Sequence, residues 1–276
     1  KANVDMEEVR KRLAEIVSNK GLQTKVDAQQ QQIRHLERQV HTLSDKLGDA
    51  SVGSQEEIRK DRDTDLVDYY RLEAEGGVAE AQFYLGVAYD FGRGVPQDDR
   101  QAVAWYRKAA DQGIAAAQTF LGGMYSKGRG VPQDYSEAIR WYRKGAEQGV
   151  SLAQESLGEM YEHGLGIPQD YKEAISLYRK AADQGLALAQ IDLAGMYHSG
   201  RGVSQDYKEA MSWFRKAAEQ GVANAQYNLG LMYIRGQSVP KDDKKAVPWL
   251  RKAAEQGDAE AQFALGVINC LIIVFI

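Results

Sequence analysis

The residues of this chain that could bind a metal or take part in catalysis are few and widely spaced. The sequence contains four histidines and one cysteine, so Cys270 has no partner for a disulfide within the chain. His163 and His198 stand at different points of a repeated pattern, with no cysteine or second histidine at ligand spacing. His35 and His41 occupy non-core positions of a heptad stretch and are expected to be solvated. We therefore predict no catalytic residues, no metal site and no cofactor.

Glycine-rich turns recur along the chain and resemble phosphate-binding loops only in composition. In one of them Gly128 and Gly130 flank an arginine, and Pro132 follows. A phosphate-binding loop needs a preceding strand and a following Lys-Ser/Thr pair, and neither is predicted here. Gly128 instead suits the left-handed position after a helix end, and Pro132 prevents immediate continuation of the helix. The turns are therefore predicted to stop helices.

The elements that carry these residues repeat with a fixed period. An Ala-Gln pair returns every 36 residues along the chain. A period of this size indicates stacked supersecondary units rather than one closed globule. The repeats are placed at 79–114, 115–150, 151–186, 187–222 and 223–258, with a partial copy at 259–276.

The first half of each repeat has the pattern of an amphipathic helix. In the second copy its apolar residues fall at i, i+4, i+7 and i+8, namely Ala117, Leu121, Met124 and Tyr125. Gly122 lies inside this helix and should cost about 1 kcal/mol relative to alanine. Because the glycine recurs in most copies, we expect a neighbouring helix to pass too close for a β-carbon.

The second half of each repeat predicts another helix. Asp134 with Glu137 forms a capping-box pattern at its start. The predicted buried stripe consists of Ala138, Trp141, Tyr142, Gly145 and Ala146. Since one helical hairpin cannot bury its apolar stripe alone, neighbouring hairpins must cover it. The predicted fold class is all-α, a right-handed α-solenoid of antiparallel helix hairpins with an N-terminal helical or coiled-coil arm.

Three segments of each copy carry a resemblance to a known family. They read A-x-A-Q-x-x-L-G-x-x-Y, then G-x-G-V-P-Q-D-Y-x-E-A, then W-Y-R-K-A-A-x-Q-G. This pattern closely resembles the Sel-1-like repeat, a cousin of the tetratricopeptide repeat, over about residues 65–269. The resemblance implies a solenoid whose first helices line a concave surface. A cysteine-rich branch of that family staples each hairpin with a disulfide, and this chain does not belong to it because it has one cysteine.

The N-terminal part of the chain differs from the repeats. Residues 1–50 are predicted to form a helical arm, residues 51–60 a linker, and residues 61–276 the solenoid. The arm carries heptads with Val26, Ile33, Val40 and Leu47 at position a and Leu22, Leu36 and Leu43 at position d. This pattern favours a parallel two-stranded coiled coil, hence a homodimer through residues 22–47. The alternative is a helix that folds back and caps the first repeat.

An apolar run at residues 270–276 replaces the glycine turn of the last copy. It is too short to span a bilayer, which needs about 20 apolar residues. Three interpretations remain open: the end of a truncated repeat docked on the preceding hairpin, a membrane segment cut short, or an exposed adhesive end. No basic-then-apolar signal peptide is visible, so both cytoplasm and periplasm are left open.

The function predicted from the sequence is a non-enzymatic scaffold or adaptor that binds a peptide or helix of another protein. The net charge of −4 and the pI near 5.7 give no electrostatic footprint for nucleic acid. Two alternatives remain. One is penicillin binding or hydrolysis, which the resemblance suggests because some cysteine-rich relatives are associated with it. The other is a purely structural spacer.

Partner-binding residues are predicted on the exposed face of the first helices, as the resemblance implies. They are Glu80, Phe83, Val87, Asp90, Thr119, Ser126, Glu155, Glu159, Glu162, Ile191, His198, Tyr227, Leu231 and Ile234. The three glutamates of the third copy could meet a basic peptide segment, or form an ordinary solvated face. The apolar strip of the fifth copy, from Tyr227 to Ile234, could seat hydrophobic side chains of a partner, or pack between repeats.

Overall fold

The computed structural model describes the backbone of residues 52–274 and the side chains of residues 63–268. The described residues form twelve helices and no strands. The contacts divide the chain into two units, residues 1–61 and 62–276, and the second unit contains all the repeats. The predicted arm at 1–50, with its heptads at 22–47, lies outside the described residues.

Each copy of the repeat supplies a first and a second helix of 13 residues. A longer helix, α1, precedes them at Val52–Glu75. The first helices are α2 (Ala79–Phe91), α4 (Ala115–Lys127), α6 (Ser151–His163), α8 (Ala187–Ser199) and α10 (Ala223–Arg235). The second helices are α3 (Asp99–Asp111), α5 (Tyr135–Glu147), α7 (Tyr171–Asp183), α9 (Tyr207–Glu219) and α11 (Asp243–Glu255). A final first helix, α12, covers Ala259–Val274.

The helices pack strictly in chain order. Each first helix packs against the second helix of its own copy, and that second helix packs against the first helix of the next copy. The described contacts therefore build a stack of hairpins, and the buried apolar side chains form several clusters along it rather than one central core. The predicted all-α solenoid is confirmed.

The turn inside each hairpin forms as the glycine and aspartate pattern predicts. Gly128 adopts φ 66° after α4, in the left-handed region that glycine favours. The Asp134 carboxylate accepts hydrogen bonds from two backbone N–H groups in the first turn of α5. The capping box is only half formed, because the Asp134 N–H does not donate to the Glu137 side chain. It donates instead to the Tyr125 carbonyl at 3.0 Å. Glu137 instead pairs with Arg140 at 2.7 Å.

Glutamines join neighbouring copies through hydrogen bonds, which explains why the Ala-Gln pair and the Gln-Gly pair recur. The Gln118 amide donates to the Ala110 carbonyl of the preceding copy at 3.1 Å. Gln148, at the end of α5, donates to Gln118 Oε1 at 2.8 Å and to the Gly113 carbonyl at 3.1 Å. The buried Gln118 side chain is thus satisfied on both sides, as buried amides must be.

A close helix contact accounts for the glycine inside the first helices. A β-carbon on Gly122 would lie 2.7 Å from a ring carbon of Tyr142, a side chain of the second helix in the same hairpin. The same relation holds between Gly158 and Tyr178, at 2.8 Å. The prediction of a helix too close for a β-carbon is confirmed.

Of the two segments outside the five copies, the first differs from the sequence interpretation and the second agrees with it. Helix α1 begins at Val52, so helical backbone occupies most of the stretch 51–60 that the composition predicts as a linker. Helix α12 continues to Val274 without the glycine turn that ends the other first helices. None of the helices within 52–274 combines the length and apolar character needed to span a membrane.

Candidate partner-binding face

The first-helix face is the surface that α2, α4, α6, α8 and α10 build from residues equivalent to Glu80, Phe83, Tyr84, Val87 and Asp90. Adjacent copies meet on it in a fixed register. The ring of Phe83 in the first copy lies 5.7 Å from the ring of Phe120 in the second. The same register places Glu155 of the third copy beside Asp192 of the fourth, because both pairs are 37 residues apart.

The predicted partner-binding residues fall into three classes of exposure. Glu80 and Glu159 are exposed. The half-buried residues are Phe83, Val87, Ser126, Glu155, Ile191, His198, Tyr227, Leu231 and Ile234. Asp90, Thr119 and Glu162 are buried, with exposed fractions of 4%, 4% and 8%. The structure therefore differs from the sequence interpretation, which expected all of them on an exposed face.

Each of the three buried residues has a partner inside the stack. The Asp90 carboxylate accepts a hydrogen bond from Tyr106 Oη at 3.0 Å and pairs with Arg129 of the next copy at 2.8 Å. The Thr119 hydroxyl donates to the Ala115 carbonyl of its own helix at 2.9 Å. Neither side chain is free to meet a partner protein.

Glu162 is bound in the same way as Asp90. Its carboxylate accepts a hydrogen bond from Tyr178 Oη at 2.7 Å and pairs with Arg201 of the following copy at 2.6 Å. Glu162 therefore links the third copy to the fourth. We call such a carboxylate, bound by a tyrosine of its own copy and an arginine of the next, a charged tie. Among the described residues the other two predicted glutamates, Glu155 and Glu159, form no ion pair, and Lys127 of the second copy only partly offsets the raised pKa of Glu155.

A fourth carboxylate, Asp192, joins the two remaining glutamates and was missed by sequence reasoning. Within the described residues Asp192 makes no hydrogen bond or ion pair. Its burial, followed by repulsion from Glu155, Glu162 and Glu159, raises the pKa of Asp192 to about 7. Burial, and then repulsion from Glu159, also raises the pKa of Glu155. We call Glu155, Glu159 and Asp192 the acidic cluster.

Asp192 directly follows Ile191, a predicted residue. It stands at the position of Tyr84 and Phe120 in the earlier copies, a position that the prediction left out of the exposed face. The ring contact between Phe83 and Phe120 shows that this position faces its neighbour across the copy boundary. The sequence signal that could have identified Asp192 is the change at this position from an aromatic residue in the first two copies to aspartate in the fourth.

A cavity of about 280 Å³ opens next to the acidic cluster. Its lining consists of Glu162, Ile191, Asp192, Gly195, His198, Arg201, Phe214 and Asn228. Gly195 leaves space there, since a β-carbon on it would meet no atom within 4 Å. Phe214 replaces the tyrosine of the first three copies and so brings no hydroxyl. The cavity thus lies where the fourth copy has Gly195 and Phe214 at the positions that Glu159 and Tyr178 occupy in the third copy.

Apolar and aromatic side chains lie on the first-helix face on both sides of the acidic cluster. In the first two copies the rings of Phe83 and Phe120 lie 5.7 Å apart on this face, and both contact the buried ring of Tyr106 beneath them, at 5.9 and 5.4 Å. In the fifth copy the half-buried Tyr227 and Ile234 pack against the core cluster of the stack. This second group therefore serves inter-repeat packing and keeps only part of its surface for a partner.

The described residues offer no metal-binding group of three or more histidine, cysteine, aspartate or glutamate side chains. A Ser-x-x-Lys spacing that sequence reasoning overlooked occurs at Ser238 and Lys241. It lies in the loop between α10 and α11, where Ser238 adopts φ 71° and the Lys241 ammonium lies 3.5 Å from Asp243. This loop arrangement carries no nucleophile–base contact.

Comparison with known proteins agrees with this architecture. A family model described as the Sel1 repeat matches residues 79–114, 115–150, 151–186, 187–222 and 223–258. No sequence among the curated proteins matches the chain.

Solved structures give the same result. A protective antigen present in uropathogenic Escherichia coli strains, which displays an SLR fold, is 42% identical with a TM-score of 0.67, covering 72% of this chain and 43% of that chain. A Sel1 repeat protein from Oxalobacter formigenes is 40% identical with a TM-score of 0.68, covering 73% and 58%. This chain thus spans about half the length of these two relatives.

Proteins built from Sel1 repeats generally act as scaffolds for protein–protein contacts and are typically not enzymes. The five matched copies coincide with the five hairpins of the stack. The chain belongs to the Sel1 repeat family.

Proposed function

We propose that this protein is a non-enzymatic adaptor that binds a segment of another protein along the first-helix face. The observation that carries the proposal is the acidic cluster beside its cavity. Among the described residues the partly buried Asp192 has no hydrogen-bond or ion-pair partner, and the Glu155 and Glu159 carboxylates repel it. A cationic side chain of a partner would relieve this repulsion and would gain a charge-assisted hydrogen bond.

The cavity favours a cation on a long side chain. Its volume of about 280 Å³ leaves room for the stem of a lysine or arginine beside the apolar surfaces of Ile191 and Phe214. Asp192 lies in the lining, where it would receive the charged group. Glu162 contributes little, because Arg201 and Tyr178 already occupy its carboxylate.

Apolar contacts would extend the binding site along the stack. The half-buried rings of Phe83 and Phe120 and the exposed part of Tyr227 and Leu231 lie on the same face as the acidic cluster. Repeat stacks present such extended surfaces to peptides or helices. The proposed ligand is therefore a segment with one basic residue flanked by apolar residues.

Selection from a displayed library of random peptides tests this proposal. The full chain is immobilised, and binders are then counter-selected on the variant carrying Glu155→Lys and Glu159→Lys. We expect enriched peptides to contain lysine or arginine near apolar residues and to lose binding to the variant. Failure to enrich any peptide would favour a structural spacer, and equal binding to both proteins would place the site elsewhere.

A further inference from the structure

Side-chain links cross the interfaces between neighbouring copies of the stack. Such an interface lies between the second helix of one copy and the first helix of the next, so the five copies share four of them. Three links recur: the charged tie, a hydrogen bond from an arginine to a tyrosine hydroxyl, and a hydrogen bond from a glutamine to a glycine carbonyl of the preceding copy. Among the described residues, the α5–α6 interface between copies two and three is the one of the four that has none of them.

Neutral residues replace the charged tie at the α5–α6 interface. Ser126 stands at the position of the Glu162 carboxylate, and Leu165 stands at the position of Arg201. Tyr142 keeps the place of the tyrosine, and its hydroxyl meets the neutral Ser126 instead of a carboxylate. The interface therefore has the tyrosine of a tie but neither of its charges.

The arginine–tyrosine link does not form there either. It crosses the other three interfaces as Arg107 to Tyr125, Arg179 to Tyr197 and Arg215 to Tyr233. Arg143 and Tyr161 occupy the equivalent positions of copies two and three, but within the described side chains no hydrogen bond connects them. Both residue types are thus present without the contact that they make elsewhere.

The glutamine at the end of α7 turns back onto its own helix. Gln148, at the end of α5, donates to the last glycine carbonyl of the preceding copy at 3.1 Å. Gln184 instead donates to the Lys180 carbonyl of its own helix at 3.3 Å. One glutamine link remains across the α5–α6 interface, from the Gln154 amide to the Ala146 carbonyl at 3.3 Å. Copies two and three are therefore joined mainly by apolar packing.

Helix α5 also carries a glycine where it meets α6. Gly145 takes the place of an alanine that is fully buried in each of the other four copies. It faces the next copy, since a β-carbon on it would lie 3.0 Å from the Ala153 β-carbon of α6. Glycine lowers helix propensity relative to alanine, so the helix on this side of the interface is itself weakened.

We propose that the α5–α6 interface divides the stack into two units of unfolding, copies one and two on one side and copies three to five on the other. In a linear stack each copy contacts only its neighbours, so one unit can open while the other stays folded, and the division falls at the interface with the fewest links. The rings of Phe83 and Phe120 belong to the first unit and the acidic cluster to the second. Opening of either unit therefore interrupts the first-helix face.

Hydrogen–deuterium exchange of the full-length chain, followed by mass spectrometry at increasing urea below the unfolding transition, measures this division. We expect the amides of α3, α4 and α5 to exchange through one common opening and those of α6 to α9 through another, with rates at least about tenfold apart. The helices at the two ends of the stack are left out because helix ends of a stack fray. A single opening for all these helices, or a boundary at a different interface, would overturn the proposal.

Two double variants exchange the links between interfaces. Ser126→Glu with Leu165→Arg copies the tie of the third copy around Tyr142, and it should reduce the rate difference by at least about threefold. Either substitution alone is the matched control, because half a tie should not reduce it. The reciprocal change, Glu162→Ser with Arg201→Leu, should create a further boundary between α7 and α8. An exchange pattern that stays the same in both double variants would refute the role given to these links.

Discussion

Tyr178 Oη donates a hydrogen bond of 2.7 Å to Glu162, and the same carboxylate pairs with Arg201 from the following copy. An equivalent tie joins the first two copies, where Asp90 is bound by Tyr106 and Arg129. Between these two ties the corresponding positions hold Ser126 in the second copy and Leu165 in the third, so a charged tie is missing there. The charged ties therefore join copies one and two, and copies three and four.

We expect Glu162→Ala to lower the free energy of unfolding by about 1–3 kcal/mol, because it leaves Tyr178 and Arg201 without their buried partner. Urea unfolding followed by circular dichroism measures this loss. Ser126→Ala is the matched control at the equivalent position of the second copy, and it should cost at most about 1 kcal/mol, because Ser126 offers Tyr142 a neutral hydrogen bond and no ion pair. Equal effects of the two substitutions would show that the tie contributes no net stability.

We expect Ser238→Gly to raise the stability of the fifth copy. Ser238 adopts φ 71°, a left-handed conformation that costs a residue with a β-carbon about 1–2 kcal/mol, part of which the greater freedom of glycine in the unfolded chain offsets. The gain should be about 0.5–1 kcal/mol in urea unfolding. The reverse change, Gly202→Ser at the equivalent position, should destabilise more strongly, because a β-carbon there would touch Tyr171.

The two glycine environments inside first helices lead to opposite predictions. Gly158→Ala should destabilise the fold by about 1–3 kcal/mol, because its β-carbon would lie 2.8 Å from the ring of Tyr178, which Glu162 holds in place. Gly195→Ala meets no atom within 4 Å and should raise stability by up to about 1 kcal/mol through helix propensity. Thermal unfolding of both variants separates them. A loss in both would mean that the space beside Gly195 is filled.

The sequence predicts the hairpins well because their signals are local or repeat at a fixed interval. The caps at Asp134, the stop at Gly128 and the crowding at Gly122 all depend on residues within one copy. The burial of Asp90 and Glu162 could not be predicted in this way. Each carboxylate is buried because it pairs with an arginine 39 residues later, in the next copy. The pattern of one helix face does not show that this arginine reaches back to the preceding copy.

Stability should depend on pH through Asp192. Its pKa is raised from 3.8 to about 7, so the folded chain holds a proton that the unfolded chain has released at neutral pH. Stability should therefore fall as the pH rises from about 4 to about 7, and the loss should be complete above that range. Asp192→Asn should remove a pH-dependent term of at most about 4 kcal/mol, because a tenfold change in proton affinity corresponds to about 1.4 kcal/mol. Urea unfolding at several pH values measures it, and identical pH profiles for both proteins would contradict the assignment.

Charge reversal at the acidic cluster should weaken binding of a selected basic peptide without unfolding the stack. Glu155→Lys with Glu159→Lys replaces two carboxylates beside Asp192, and we expect about a tenfold or greater loss in affinity, since like charges across an interface cost several kcal/mol. Glu147→Lys with Glu219→Lys is the matched control, because these exposed carboxylates end second helices away from the first-helix face. Fluorescence polarisation with the labelled peptide measures affinity, and circular dichroism checks the fold. If the control variant loses as much affinity as the cluster variant, the peptide responds to net charge alone and the acidic cluster is not its site.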